Sequence, residues 1–167
     1  LSEPALARVD AYMKNGGTIL FDTRDQQYAG IGSALGSATP ERSRLQQLLR
    51  RLDIPPLVPV PQDHILTRAF YLMQAWPGRW SGGRVWVERH KGGVNDGVSS
   101  LVIGSHDWAA AWAASADGSP LAAVVQESPR QREMAYRFGV NVVMYVLTGN
   151  YKADQVHVPA LLERLGQ

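Results

Sequence analysis

Apolar positions along this chain follow two periods, and the alternation between them predicts an α/β fold. Leu6, Val9 and Met13 fall on one helical stripe with Ala5 and Tyr12 beside it, so residues 3–15 are expected to be helical. Ser2 is a candidate N-cap, and Pro4 sits in the first turn, where its missing N–H costs nothing. Asn15-Gly16-Gly17 stops the helix, and Thr18 to Asp22 follows as a short apolar strand suited to cover on both faces. Helix, tight glycine turn and buried strand make half of a βαβ unit.

The same reading continues downstream. Thr39-Pro40-Glu41 opens a second helix in which Leu45, Leu48, Leu49 and Leu52 share a face, leaving Arg42, Arg44, Arg50 and Arg51 mainly to solvent. Prolines 55, 56, 59 and 61 demand an extended connection. A helical turn and a short strand around Ala69–Leu72 are expected next, then a loop over residues 76–83. Arg84 to Glu88 alternates as a strand with one wet face does, and Val98 to Ser105 reads as a buried strand after an Asn95-Asp96-Gly97 turn. A short helix over 107–114 and a strand over 121–125 follow. Residues 129–148 form the strongest helical pattern, with Ser128 and Gln131 as a capping box, a Glu133–Arg137 pair and an enclosed apolar second half from Val140 to Leu147. Pro159 opens a last short helix through Leu165.

Composition narrows the class. A chain of 167 residues, 45 % hydrophobic and 19 % charged, fits one globular domain over residues 1–167. Net charge is +2 with the arginines scattered, so the basic stripe of a nucleic-acid binder is missing. No apolar run approaches the ~20 residues that span a bilayer. Cysteine is absent, which removes disulfides, thiolate nucleophiles and Cys-ligated metals. The chain opens on Leu1 and enters a helix at once, as a domain excised from a larger protein would. The first strand of its βαβ unit is then expected upstream, with a second copy covering the vacated sheet edge.

Several residues are candidates for chemistry. Asp22, Arg24 and Asp25 stand where a strand ends, the place where open parallel sheets bind ligands; local capping of backbone N–H groups is the competing role. Gly30 to Gly36 lacks the strand and helix that a dinucleotide fingerprint needs on either side. Ser105-His106-Asp107 contains the residue types of a hydrolase triad, but consecutive residues cannot form the relay. Ser105 or Asp107 capping the following helix is the expected role. His64, His90, His106 and His157 have no metal-ligand spacing, and neither a metal nor a cofactor is expected. Trp76, Trp80 and Trp86, with Arg79, Arg84 and Arg89, suit either a stacking platform for sugars or a partner, or cover for a sheet.

Longer stretches resemble a known family. The run from Ala11 to Asp22 is similar to the opening of the bacterial family called domain of unknown function 4159. Residues 67–72, 76–79, 95–98 and 107–112 resemble its middle blocks, and Arg132–Asn141 with Thr148–Asp154 its closing block. The resemblance implies a flavodoxin-like, class I glutamine amidotransferase-like three-layer sandwich with a mostly parallel sheet. It also implies a place at the C-terminal end of membrane-anchored proteins with an aerotolerance-regulator-like N-terminal region, hence a soluble domain of a bacterial inner-membrane protein. Amidotransferases need a Cys nucleophile at a strand–helix elbow, and this chain has none. The expected function is therefore non-catalytic binding or scaffolding, with Asp22, Arg24, Asp25, Trp76, Arg79, Trp80, Ser105 and Asp107 as candidates for holding a protein partner or small ligand. Two rivals stand beside it: a hydrolase or transferase using Ser105, and a carbohydrate-binding module using the Trp76/Trp80 loop.

Overall fold

The computed structural model describes residues 1–28, 39–89, 98–125 and 129–149. Helix α1 (Glu3–Lys14) leads through Gly16, at φ 90°, into strand β1 (Ile19–Asp22). Helix α2 (Pro40–Leu49) begins at Thr39, whose hydroxyl accepts the Arg42 amide at 3.3 Å. Strand β2 (Leu57–Pro59), strand β3 (Trp86–Glu88), strand β4 (Leu101–Gly104), helix α3 (Trp108–Trp112) and helix α4 (Gln131–Thr148) complete the order.

The four strands lie in the order β1-β4-β3-β2. Only the β1–β4 pair is parallel; β4–β3 and β3–β2 are antiparallel. The sheet is thus mixed, not mostly parallel as expected. Strand periodicity divides its side chains between two faces. Ile19, Phe21, Leu57, Trp86, Leu101 and Ile103 meet Leu6 and Met13 of α1 and Leu45, Leu48 and Leu49 of α2. Leu20, Val58, Val85, Val87 and Val102 meet Trp108 of α3 and Phe138 and Tyr145 of α4. Helices therefore cover both faces of the sheet, and β4 is buried along its whole length.

Four local expectations need correction. Residues 69–72 form no strand; after a 3-10 turn (Ile65–Thr67) they run as coil pinned by Asn141 of α4. The Asn141 amide accepts the Phe70 and Tyr71 N–H groups at 3.2 and 2.7 Å and donates to the Leu66 and Tyr71 carbonyls at 2.9 and 2.8 Å. Residues 121–125 are also coil, held by side chains: Arg132 donates to the Ala122 carbonyl, and Arg79 Nε to that of Ala123 at 3.2 Å. A strand that sequence reasoning missed, β2, lies inside the proline-rich connection. Proline is tolerated there because β2 is an edge strand.

The fourth correction concerns α4. The Glu133–Arg137 pair forms as expected, and the capping box expected from Ser128 and Gln131 falls on Ser128, which lies outside the described residues. The Gln131 amide donates to the Gly78 and Arg79 carbonyls at 3.0 and 3.1 Å. The helix turns Gln131, Ala135, Phe138, Asn141 and Tyr145 inward. Val140, Val143, Val146 and Leu147, expected to be enclosed, are exposed. Two amides satisfied by coil backbone take inward positions that hydrophobicity alone would award to valine. The Gly30–Gly36 run, His90, the Asn95–Gly97 turn, His157 and the helix expected from Pro159 all lie outside the described residues.

Candidate functional site

Because β1 and β4 are parallel neighbours, the loops that follow them emerge side by side. Asp22 and Gly104 are register partners at the last rung. Gly104 has to be glycine: a Cβ there would stand 2.2 Å from the Trp108 ring. That ring lies over the strand end, stacked on His106 at 4.8 Å and against Phe138 at 4.6 Å. The chain turns from β4 into α3 through Asp107, which takes a left-handed conformation with φ 54°. A non-glycine residue in that region costs about 1–2 kcal/mol, so the surrounding contacts must hold it.

Those contacts come from Asp22. Its carboxylate accepts the Trp108 N–H at 2.7 Å and the Asp107 N–H at 3.2 Å, and also the Arg24 N–H at 3.1 Å. Asp22 thus caps α3 from the neighbouring strand. The expected cap by Ser105 or Asp107 does not form, since Asp107 makes no side-chain cap and the Ser105 hydroxyl donates to Gln26 Oε1 at 2.8 Å. The Asp107 carboxylate instead stands 3.6 Å from the Arg79 guanidinium.

His106 is 1 % exposed. Its Nδ1 accepts the Ser105 N–H at 3.3 Å, and its Nε2 faces the Gly83 backbone at a geometry short of a hydrogen bond. Burial pushes the imidazole below its ordinary range; the Gly83 backbone and the Asp22 charge oppose that shift without reversing it. The folded state then refuses a proton that the unfolded chain accepts near pH 6.5. Unfolding binds protons in that window, so stability falls as pH drops below about 6.5 and levels off once the folded imidazole also titrates. Urea midpoints measured from pH 8 to pH 5 should show this decline, and His106→Gln should flatten it.

On the other side of the strand ends, Asp25 is 2 % exposed and fully engaged. It accepts the Thr23 hydroxyl at 2.6 Å and the Thr39 hydroxyl, and meets Arg42 Nε at 2.7 Å. Its arginine is therefore Arg42 of α2, a residue expected on a solvated face, and not Arg24. Arg24 is exposed at φ 57°. Between α2 and the sheet lies a cavity of about 490 Å³ bordered by Gln26, Arg42, Leu45, Gly83, Arg84 and Ser105.

The loop expected to display aromatic rings is docked on the elbow. The Trp80 N–H donates to the His106 carbonyl at 3.0 Å and the Arg79 N–H to that of Asp107 at 3.3 Å. Gly78 permits the approach, since a Cβ would meet the His106 carbonyl oxygen at 2.4 Å. The Trp76 ring stands edge-on to Phe138, and its carbonyl accepts Trp108 Nε1 at 3.1 Å. Arg79 lies over the Trp80 ring. These contacts favour a role for Trp76 in covering the core.

The structure thus gathers Asp22, Ser105, Asp107, Trp76, Arg79 and Trp80 around one elbow, sets Asp25 in an adjoining ion pair and leaves Arg24 outside. Sequence reasoning overlooked Gln26, Arg42 and Gly83. Of these only Arg42 carried a signal, three residues after the capping Thr39. Among the described residues no cluster of His, Asp and Glu could hold a metal, and no helix is long and apolar enough to cross a membrane. The sequence pattern of the family described as "Domain of unknown function (DUF4159)" matches residues 1–147. No curated protein matches the chain.

Proposed function

The chain belongs to the DUF4159 family, and on that premise we propose that it is a non-catalytic binding domain of a membrane-anchored parent protein. Its ligand site is the cavity beside the ends of β1 and β4. One observation carries this reading: the elbow is occupied by the protein itself. An acyl-transfer elbow needs a nucleophile with a base at hydrogen-bonding distance and free backbone donors for the developing oxyanion. Here the Asp107 and Trp108 amides are taken by Asp22, and the Ser105 hydroxyl is committed to Gln26. The His106 imidazole beside it accepts from the Ser105 backbone and not from its hydroxyl. Next to this closed elbow is an open cavity of about 490 Å³, within the roughly 300–1,000 Å³ usual for small-molecule sites. The helices on both faces and the strand–helix elbow support descent from a glutamine amidotransferase-like sandwich that lost the nucleophile, while the antiparallel β3 and β2 depart from its mostly parallel sheet.

Two measurements test this. In an NMR screen of small organic fragments, hits should perturb the Gln26, Gly83 and Ser105 amides; hits that gather elsewhere would move the site. With p-nitrophenyl acetate, the chain and its Ser105→Ala variant should release nitrophenol equally slowly. A burst that depends on Ser105 would establish the rival hydrolase.

A further inference from the structure

The cavity's own lining says what kind of ligand it suits. Resting on the binding reading above, we propose that it takes a small amphipathic carboxylate, with its head group on Arg84 and its apolar body between α2 and the sheet.

Three observations support this. The first is charge. Two arginines, Arg42 and Arg84, border the cavity, and no Asp or Glu is among its described lining residues. The Asp25 carboxylate that balances Arg42 lies behind it, with its side chain 2 % exposed. Arg84 has no ion-pair or hydrogen-bond partner among the described residues. The site therefore carries an uncompensated positive charge, from a group whose planar fork matches a carboxylate.

The second is the division of the wall. Leu45, Leu49 and Leu57 with Trp86 and Ile103 form its apolar part and belong to the core cluster under α1 and α2. Most of the polar side chains gather at the strand ends, where Thr23, Gln26 and Ser105 stand beside the arginines, and Gln46 of α2 is the one polar side chain that borders the apolar part among the described lining residues. An inorganic anion would leave the apolar wall wet, and a neutral hydrocarbon would leave Arg84 unused. A molecule with one charged end and one apolar end meets both requirements.

The third is the register that aims the two parts. Arg84 and Trp86 are two residues apart, so along an extended segment they project to the same side. Trp86 is fixed on the α2 face by its pairing with Ile103. The cation is thereby held over the same face as the apolar wall.

The test uses three eight-carbon probes followed by NMR titration of the whole chain: octanoate, octanol and octylammonium. Octanoate should saturate with shifts centred on Gly83, Arg84 and Ser105 and bind at least tenfold more tightly than octanol. Octylammonium should not bind. Arg84→Gln, at an exposed position with no ion-pair partner among the described residues, should fold normally and lose that tenfold preference while still binding octanol weakly. If octanol or octylammonium binds in the cavity as tightly as octanoate, or Arg84→Gln changes nothing, the carboxylate assignment falls while the site stands. If no probe binds there and the fragment screen also leaves the cavity untouched, the site falls with it.

Discussion

Trp108→Ala is expected to lower unfolding stability by about 4 kcal/mol, in the range for emptying a buried aromatic site. The indole is fully buried and forms the centre of the α3–α4 side of the core. It stacks on His106, packs on Phe138 and donates Nε1 to the Trp76 carbonyl. Truncation would remove these contacts together, strand the Trp76 carbonyl without its donor and open a void over Gly104, where no side chain exists to fill it. For a domain of this size, a loss of that order lowers the melting temperature by roughly 2–4 °C per kcal/mol. Urea titration and thermal melts of the variant check it. A loss under 1 kcal/mol would mean that the ring does not cover the strand end as described.

Asp22→Ala is expected to cost about 3 kcal/mol, since hydrogen bonds to a charged acceptor contribute roughly 1.5–3 kcal/mol each and a helix cap typically ~1 kcal/mol. The carboxylate serves the Trp108, Asp107 and Arg24 amides, two of them on the far side of the β1–β4 pair. Its removal also releases Asp107 from the contact that offsets its left-handed backbone. Asp22→Asn keeps a single acceptor oxygen and should lose about half as much. Denaturation midpoints for the two variants, with hydrogen exchange at Trp108, distinguish this from a local capping role. If Asp22 only closed its own turn, exchange at Trp108 would not accelerate.

Elements whose signal is local were legible in the sequence. The Asn15-Gly16-Gly17 stop, the apolar run into Asp22, the Thr39-Pro40 start and the buried run ending at Gly104 each depend on a few adjacent residues, and the structure has them all. Features set by pairing were not. Strand direction depends on which neighbour β3 chooses, and nothing in Trp86-Val87-Glu88 records that it runs against both β4 and β2. The capping of Trp108 by Asp22 spans 86 positions and exists because the register puts Asp22 opposite Gly104. Arg42 and Asp25 are closer in sequence, but their ion pair depends on where α2 crosses the strand ends. The candidate residues were therefore found largely by position after a strand, while their partners came from tertiary placement.

The misread face of α4 has the same cause. A count of apolar residues from Phe138 to Leu147 cannot say which of them turn inward, because Gln131 and Asn141 win inward positions through backbone groups elsewhere in the chain. Polar residues inside and valines outside reverse the usual helical pattern.

Asn141 shows what such an arrangement means for inheritance. The turn and coil over 66–71 take their shape from an amide about seventy positions downstream. One codon gained or lost within α4 ahead of that amide would rotate it by about 100° and leave the coil's own letters intact. Length changes in the gene are therefore tolerable in the connections but not in this helix, whose turn count is a specification for a distant loop.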